Sequence, residues 1–256
     1  MNQLLQKFRA GASSIGTFTH LKSMTAIECM AYTGLDYVII DTEHAPVGID
    51  FVADAVVAAD VAGIVPVVRI NEISRSAVLQ PLDVGAKALI VPAVETVEQV
   101  RQLVQYAKFA PLGNRGCCPT RDGGWNRAPH AANGYEAYMA HSNRDTLLIP
   151  QCETRGCLEH IEEIAAMDGV DGIFIGPLDL SIALGVAGQF DVPVMQEALK
   201  RVQSACKAVN KPLFIFCGDA VAARRYLNDG FDSVALSLDA MVLTQAYRTA
   251  VDAIKT

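Results

Sequence analysis

Short apolar runs alternate with longer amphipathic stretches along the whole chain. A nearly continuous apolar run is typical of a parallel strand that is covered on both faces. Eight such runs predict strands at Ile15–Thr19, Tyr37–Asp41, Val65–Ile70, Ala88–Val91, Leu147–Gln151, Gly172–Gly176, Leu213–Phe216 and Ser233–Leu236. Apolar residues at helical spacing predict helices between them, among which are Thr96–Phe109, Thr154–Met167, Val194–Val209 and Ala220–Asn228. This repeated order predicts an α/β fold, a single (β/α)₈ barrel domain over residues 1–256.

An open doubly wound sheet is the alternative architecture. The sequence does not favour it, because no glycine fingerprint for a dinucleotide follows the first strand. One segment departs from the regular alternation: residues 111–133 are rich in Gly, Pro and Arg. A loop of this length inside a compact domain is usually functional or mobile.

Composition narrows the class of protein. Apolar residues make up 51% of the 256 residues, so a large core can be buried, but no run is long enough for a membrane helix. The net charge is −7 and no basic cluster is present, which argues against nucleic acid or an anionic membrane as a partner. Seven cysteines without a CxxC motif, and no apolar signal segment, predict reduced thiols and a cytoplasmic protein.

Polar side chains stand where several predicted strands end. Asp41, Thr42, Glu43 and His44 follow the second strand, Arg69 ends the third, Gln151 and Glu153 end the fifth, and Asp179 follows the sixth. In a (β/α)₈ barrel, the carboxyl ends of the strands carry the active site. We therefore expect these groups to converge, in a set that suits a metal site binding a small anion.

Glu153 and Asp179 are the candidate metal ligands. Two carboxylates with open coordination positions suit a hard cation such as Mg²⁺ or Mn²⁺. Each acid could instead cap the helix that follows it, and the two roles can coexist. For Arg69, the alternatives are a bidentate contact with a substrate carboxylate and a structural ion pair.

Asp41 and His44 could form a pair in which the carboxylate orients the imidazole for proton transfer, although a lone histidine is more often structural. The Gly176–Pro177 turn would present backbone N–H groups to an anion, or would be a plain connection between strand and helix.

Six segments of the chain form a distinctive set: GLDYVIIDTEHAP (34–46), VPVVRI (65–70), LDVGAKALIVP (82–92), PLGNRG (111–116), QCETRG (151–156) and GVDGIFIGPLDLSIALG (169–185). Together they resemble the HpcH/HpaI aldolase/citrate lyase family of class II pyruvate aldolases, which includes 4-hydroxy-2-oxoheptane-1,7-dioate aldolase and 2-dehydro-3-deoxygalactarate aldolase. The resemblance covers nearly the whole chain and implies a barrel of the phosphoenolpyruvate/pyruvate type.

The resemblance also implies roles at matching positions. The metal ligands would be Glu153 and Asp179. The catalytic residues would be His44 with its partner Asp41, Arg69, and Asp83, which would be supplied within the oligomer. Pyruvate would be contacted by Arg69, by Gln151, and by the turn of Gly176, Pro177, Leu178 and Asp179. It implies a divalent metal (Mg²⁺ or Mn²⁺, with Co²⁺ or Zn²⁺ as further candidates), a small 2-oxo acid and an aldehyde. It further implies a homohexamer, a trimer of dimers, in which the C-terminal helix Ala240–Ile254 packs on a neighbouring subunit.

The segment CCPTRDGGWN at 117–126 departs from the family pattern. We expect it to shape either the aldehyde side of the pocket or a subunit contact. Three other functions stay open: a Schiff-base aldolase using Lys22, another metal-dependent lyase of the same barrel group, and a non-catalytic binding barrel.

Overall fold

Eight parallel strands form a closed barrel in the computed structural model, which describes residues 2–255. The strands are β1 (Ser14–Thr19), β2 (Tyr37–Asp41), β3 (Val65–Arg69), β4 (Ala88–Val91), β5 (Leu147–Cys152), β6 (Ile173–Ile175), β7 (Leu213–Cys217) and β8 (Ser233–Leu238). They follow one another in chain order around the barrel. The predicted (β/α)₈ barrel is confirmed. Met1 and Thr256, the ends of the predicted domain, lie outside the described residues.

Helices alternate with the strands along the chain. They are α1 (Gln3–Arg9), α2 (Met24–Ala31), α3 (Ile49–Ala62), α4 (Arg75–Asp83), α5 (Val97–Ala107), α6 (Tyr135–Asp145), α7 (Arg155–Glu159), α8 (Ile161–Ala166), α9 (Pro177–Ala183), α10 (Pro193–Ala208), α11 (Ala220–Asn228) and α12 (Asp239–Lys255). The prediction of one helix over Thr154–Met167 is wrong, because His160 leaves helical geometry (φ −111°, ψ 17°) and separates α7 from α8. None of the helices within residues 2–255 is long and apolar enough to span a membrane.

The core has two layers, one inside the barrel and one between barrel and helices. Successive side chains of a strand point to opposite faces, so Tyr37 and Ile39 of β2 lie in the inner layer, whereas Val38 and Ile40 pack under the helices. Both faces of the strands are thus buried, apart from Ile15 of β1, which is exposed. This is why the strands read as almost uninterrupted apolar runs.

Helix α1 closes the barrel at the amino ends of the strands. Leu4 is buried in the inner core layer, and the Phe8 ring meets Phe214 edge-on at 5.4 Å between centroids. The Asn2 side chain donates hydrogen bonds to the carbonyls of Lys87 and Asp145, both just before strands. The carboxyl ends of the strands form the opposite end, to which the predicted site residues belong.

Substitution of Gly16 by alanine tests the packing inside the barrel. A Cβ atom there would lie 2.2 Å from Cε2 of Tyr37, whose ring is fully buried and whose hydroxyl is hydrogen-bonded to Ser233 at 2.9 Å. Because this ring cannot move aside cheaply, we expect Gly16→Ala to lower the free energy of unfolding by about 1–3 kcal/mol or more, measured by urea denaturation. Gly218→Ala is the control, since nothing lies within 4 Å of its Cβ position. Equal stability of the two variants would contradict this account.

Candidate active site

A buried ion pair joins the ends of β2 and β3. Asp41 and Arg69 are register partners, and Arg69 donates from Nε to Oδ1 (2.9 Å) and from Nη2 to Oδ2 (2.7 Å). Burial by itself would raise the pKa of Asp41, but the hydrogen bonds and charge of Arg69 outweigh it and lower that pKa below its usual value. The guanidinium also lies 4.6 Å from the centroid of the Phe18 ring. The expected ion-pair role of Arg69 is therefore present.

The Arg69 guanidinium also faces a second acid, Glu43. Its Nε and Nη2 face Asp41, whereas Nη1 stands 3.2 Å from Oε2 of Glu43, a buried oxygen that makes no hydrogen bond. Burial raises the pKa of Glu43, while the charge of Arg69 opposes the shift. A guanidinium has five N–H donors, so the edge formed by Nη1 and Nη2 can still bind a carboxylate. Substrate binding by Arg69 stays a prediction.

The hypothesis that Asp41 orients His44 is wrong for this structure. The imidazole on Asp41 is that of His20, whose Nε2 lies 2.7 Å from Oδ2. The His44 side chain is 62% exposed, and its Nε2 is 3.7 Å from Oε2 of Glu43, beyond hydrogen-bond distance. Both histidines follow strand ends in the sequence, and only the folded chain shows which one reaches the carboxylate. A catalytic role of His44 itself stays a prediction.

Glu153 is held at the carboxyl end of β5 by two donors. The Ala93 N–H donates to Oε1 at 2.7 Å, and the Gln151 amide donates to Oε2. Burial raises the pKa of Glu153 to about 7, and the charges of Asp179 and Glu43 add to the increase. Thr154 caps α7 instead, because its Oγ1 accepts from the Cys157 N–H at 3.0 Å. Glu153 is therefore not a helix cap, and its carboxylate is turned toward the other acids.

Ala93 was missed by the sequence analysis. Its backbone is left-handed (φ 53°), a conformation that is uncommon for a residue other than glycine. It lies after β4 and supplies the N–H that binds Glu153. No residue-type signal marks this position, since any residue but proline has such a donor.

Asp179 occupies the first turn of α9, beside Glu153. Gly176 precedes this helix without a side-chain cap, and a Cβ there would lie 2.5 Å from Oε2 of Glu153. Only glycine allows the turn to approach the carboxylate so closely. Asp179 also meets the alternative expectation of an acid at a helix start. Within residues 2–255, the N–H groups of Leu178 and Asp179 make no hydrogen bond, so both can receive an anion.

The donor set fits a hard cation. Glu43 and Glu153 have raised pKa values in part because they and Asp179 repel one another. Oε1 of Gln151 is a buried acceptor without a hydrogen bond. No cluster of three or more His, Cys, Asp or Glu side chains with metal-binding geometry exists in the described part of the chain. A cation on Glu153 and Asp179 would therefore need water and substrate oxygens to complete its coordination.

Asp83 and the 117–126 loop lie at the other end of the barrel. Asp83 ends α4 just before β4 and binds Arg115 at 2.8 Å. Thr120 donates to the Asp83 carbonyl, and Arg121 pairs with Asp60 near the end of α3. The expectation that this loop shapes the aldehyde side of the pocket is thus wrong within one chain, because the helix before it returns the chain to the amino ends of the strands. A role in subunit contact stays a prediction.

Comparisons with known proteins identify the family. A sequence model described as HpcH/HpaI aldolase/citrate lyase matches residues 14–246. The chain belongs to this family. It is 36% identical over 242 residues to the 2-keto-3-deoxy-L-rhamnonate aldolase of Klebsiella pneumoniae subsp. pneumoniae, an alignment that covers 92% of this chain and 86% of that protein. The resemblance found in the sequence is confirmed.

Solved structures of family members share the whole fold. The chain matches a HpcH/HpaI family protein from Burkholderia cenocepacia J2315 with a TM-score of 0.91, 31% identity and full coverage of both chains. A HpcH/HpaI aldolase from Desulfitobacterium hafniense DCB-2 gives a TM-score of 0.91 at 30% identity, covering 98% of this chain and 96% of the other. The prediction that the protein is an enzyme, a carbon–carbon lyase of the aldolase type, is likewise confirmed.

The raised pKa of Glu153 predicts a pH-dependent stability in chelator-treated protein. Its folded-state pKa of about 7 lies above the usual 4.5, so the fold binds this proton more tightly than the unfolded chain does. The resulting stability is complete below pH 4.5 and is lost as the pH rises through about 7. We expect Glu153→Gln, which keeps an acceptor for the Ala93 N–H, to be more stable than wild type at pH 8 by up to about 3 kcal/mol.

Denaturation at pH 5 and pH 8 measures this difference, which should shrink at the lower pH. Glu159→Gln is the matched control, because Glu159 is exposed at the end of α7. A Glu153→Gln variant that gains no stability over wild type at pH 8 would show that the Glu153 carboxylate is not desolvated.

Proposed function

We propose that this enzyme is a metal-dependent class II aldolase, which cleaves or forms 4-hydroxy-2-oxo acids, to or from pyruvate and an aldehyde. The observation that carries the proposal is the meeting of Glu153, Asp179 and Glu43 at the carboxyl ends of the strands, with Arg69 Nη1 3.2 Å from Glu43 Oε2. The relative from Klebsiella pneumoniae bears the name of an aldolase for a 2-keto-3-deoxy acid, which supports the substrate class. Another metal-dependent lyase of the same barrel group is the alternative.

Glu153 and Asp179 would hold the metal, a divalent cation such as Mg²⁺ or Mn²⁺, with Co²⁺ or Zn²⁺ as further candidates. When bound, such a cation supplies a Lewis acid for the keto group of the oxo acid. The Ala93 N–H and the Gln151 amide fix the orientation of the Glu153 carboxylate. These donors thus serve the metal ligand rather than the substrate directly.

The carboxylate of the oxo acid would be bound by the Nη1 and Nη2 edge of Arg69 and by the N–H groups of Leu178 and Asp179. Gln151 lines the same pocket, and the turn of Gly176 and Pro177 brings α9 against Glu153. The Asp41 carboxylate holds the guanidinium in place. The aldol hydroxyl needs a base, and two imidazoles, His20 and His44, follow the strand ends of this region.

Lys22 does not support a Schiff-base mechanism. It is exposed, on the segment between β1 and α2, whereas an amine that forms a Schiff base needs a desolvated site that lowers its pKa. This observation favours the metal-dependent reaction.

Pyruvate release from a panel of 4-hydroxy-2-oxo acids tests the activity. We expect release to stop in EDTA and to return with Mg²⁺ or Mn²⁺. Arg69→Lys should lower kcat/KM by about 10²-fold or more, because lysine keeps the charge but cannot replace the planar fork. The control is Arg224→Lys, an exposed arginine on α11. Release that is indifferent to EDTA, or unchanged kinetics in Arg69→Lys, would contradict the proposal.

We also propose a homo-oligomer, the hexamer of the family resemblance, in which α12 packs on a neighbouring subunit. Beyond its first turn, α12 does not bury its apolar side chains against the barrel of its own chain. The exposed ones are Met241, Val242, Leu243, Tyr247, Val251 and Ile254. A barrel helix would bury one face, so this apolar surface suits a second copy of the chain. Asp83 could reach an active site only from another copy, because in its own chain it lies at the opposite end.

Charges on α12 should dissociate the oligomer. Tyr247 and Val251 are one turn apart on the same helix face, so we expect Tyr247→Glu with Val251→Glu to give a monomer by light scattering after size-exclusion chromatography. Gln245→Glu with Thr249→Glu places the same charges on another face and should leave the oligomer intact. A monomeric wild-type protein would contradict the assembly.

A further inference from the structure

The carboxyl end of β8 contains a bulge that aims one carboxylate at β1. Where β1 advances by two residues beyond Gly16, its partner β8 advances by three beyond Ala235. Ser237, inside this bulge, has a left-handed backbone (φ 53°), which is uncommon for a residue other than glycine. Bulges bend a strand and change the direction of its side chains. The bent chain brings Asp239, the first residue of α12, to the carboxyl end of β1.

Asp239 holds the turn that follows β1. Its buried carboxylate accepts from the Thr19 hydroxyl at 2.6 Å and from the N–H groups of His20 (2.8 Å) and Leu21 (3.1 Å). It also accepts from the N–H of Ala240, in its own helix, at 2.7 Å. A carboxylate with four donors cannot rotate without breaking several of these hydrogen bonds. The backbone of His20 therefore has a fixed position relative to α12.

The His20 ring continues this connection to β2. Its Nε2 lies 2.7 Å from Oδ2 of Asp41, and because an ionised carboxylate can only accept, Nε2 is the donor. Asp41 is fully buried and also accepts from the Glu43 N–H and from two guanidinium nitrogens of Arg69. Each oxygen of Asp41 thus receives two hydrogen bonds, one of which comes from His20.

These hydrogen bonds form a chain from α12 to the guanidinium of Arg69. Asp41 binds Arg69 through both of its oxygens, so the direction of the guanidinium follows that of the carboxylate. Without His20, Oδ2 would keep one donor, and burial would prevent solvent from replacing the other. The carboxylate would then turn toward another donor and take Arg69 with it. A guanidinium recognises a carboxylate well only while its planar fork is correctly oriented.

We propose that His20 and Asp239 are positioning residues for the binding of a substrate carboxylate by Arg69, a role that rests on the proposed aldolase function. Neither residue has to touch the substrate. Asp239 fixes the backbone of His20, and the His20 ring fixes the Asp41 carboxylate. That carboxylate in turn fixes Arg69.

Two replacements of His20 separate its hydrogen bond from its imidazole. The amide of His20→Gln can still donate to Asp41, whereas His20→Leu has a similar size and no donor. Calorimetry with Mg²⁺-loaded protein and oxalate, which carries the carboxylate of a 2-oxo acid, measures the effect. We expect binding to be about 10-fold or more weaker in His20→Leu and within about three-fold of wild type in His20→Gln.

Equal loss of oxalate binding in His20→Gln and His20→Leu, or no loss in either, would overturn the proposal. His160→Leu is the matched control, since His160 is exposed between α7 and α8. If His20→Leu does not fold, His20→Asn replaces it, because the shorter amide does not reach Asp41. Wild-type affinity in His20→Asn would then count against a positioning role.

Steady-state cleavage gives a second readout. A role in substrate binding predicts that the KM of the panel member cleaved fastest rises in His20→Leu, while kcat changes less. His20→Gln should keep both constants near those of wild type. A large fall of kcat in His20→Gln would assign the ring itself to the reaction and contradict a positioning role.

Asp239→Asn tests the other end of the chain. The amide cannot accept all the hydrogen bonds of the carboxylate, so we expect oxalate binding to weaken by about 3- to 10-fold. The double variant with His20→Leu should bind no more weakly than His20→Leu alone, because Asp239 acts through His20. Additive losses of binding free energy would show that Asp239 acts independently. Asp252→Asn, at an exposed aspartate of the same helix, is the control.

Arg69→Lys distinguishes a failure of this proposal from a failure of the proposed function. We expect it to weaken oxalate binding at least as much as His20→Leu does. Weaker binding in Arg69→Lys with unchanged binding in His20→Leu would overturn the positioning role alone. A wild-type enzyme that does not bind oxalate, or an Arg69→Lys variant that binds it equally well, would refute the proposed substrate site and the positioning role with it.

Discussion

The buried pair of Asp41 and Arg69 is the interaction on which the rest of the site depends. A fully buried carboxylate can stay ionised only if a partner offsets its lost hydration, and Arg69 does so through two hydrogen bonds. The pair exists because β2 and β3 bring the two residues into register. It leaves Nη1 of the guanidinium on the side of Glu43, and it puts the proton of His20 on the nitrogen that faces Asp41. The guanidinium is the group that would bind a substrate carboxylate.

Negative charge is in excess around this pair. Glu43, Glu153 and Asp179 share the region with Arg69, and burial together with mutual repulsion raises the pKa values of Glu43 and Glu153. This burial and repulsion of charge destabilise the folded state. They occur where the side chain of Gln151 also has a buried oxygen without a hydrogen-bond partner. A site of this kind gains stability from a bound cation, since the cation satisfies the groups that the fold leaves unsatisfied. Gly176 allows the close approach of the α9 turn that completes it.

Two features of the chain have no structural role within a single copy. The exposed apolar side chains of α12 cover nothing within the chain, and Asp83 lies at the end of the barrel opposite to Glu153 and Asp179. A second copy of the chain would account for both, because its surface could cover α12 and its arrangement could bring Asp83 toward a neighbouring site. Asp239 begins α12 and also holds the backbone of His20, so the helix of the proposed assembly starts at a residue that supports the site.

The sequence alone determined the eight strands and the set of polar residues at their carboxyl ends. Both are local properties, since apolar runs mark strands and the chain order marks where each strand ends. It did not determine which histidine meets Asp41, because His20 and His44 both follow strand ends and the choice depends on side-chain direction across neighbouring strands. The Ala93 N–H that binds Glu153 depends on a backbone conformation that no residue type announces. The contacts of the 117–126 loop were decided by packing between segments far apart in the chain, since Thr120 binds Asp83 and Arg121 pairs with Asp60.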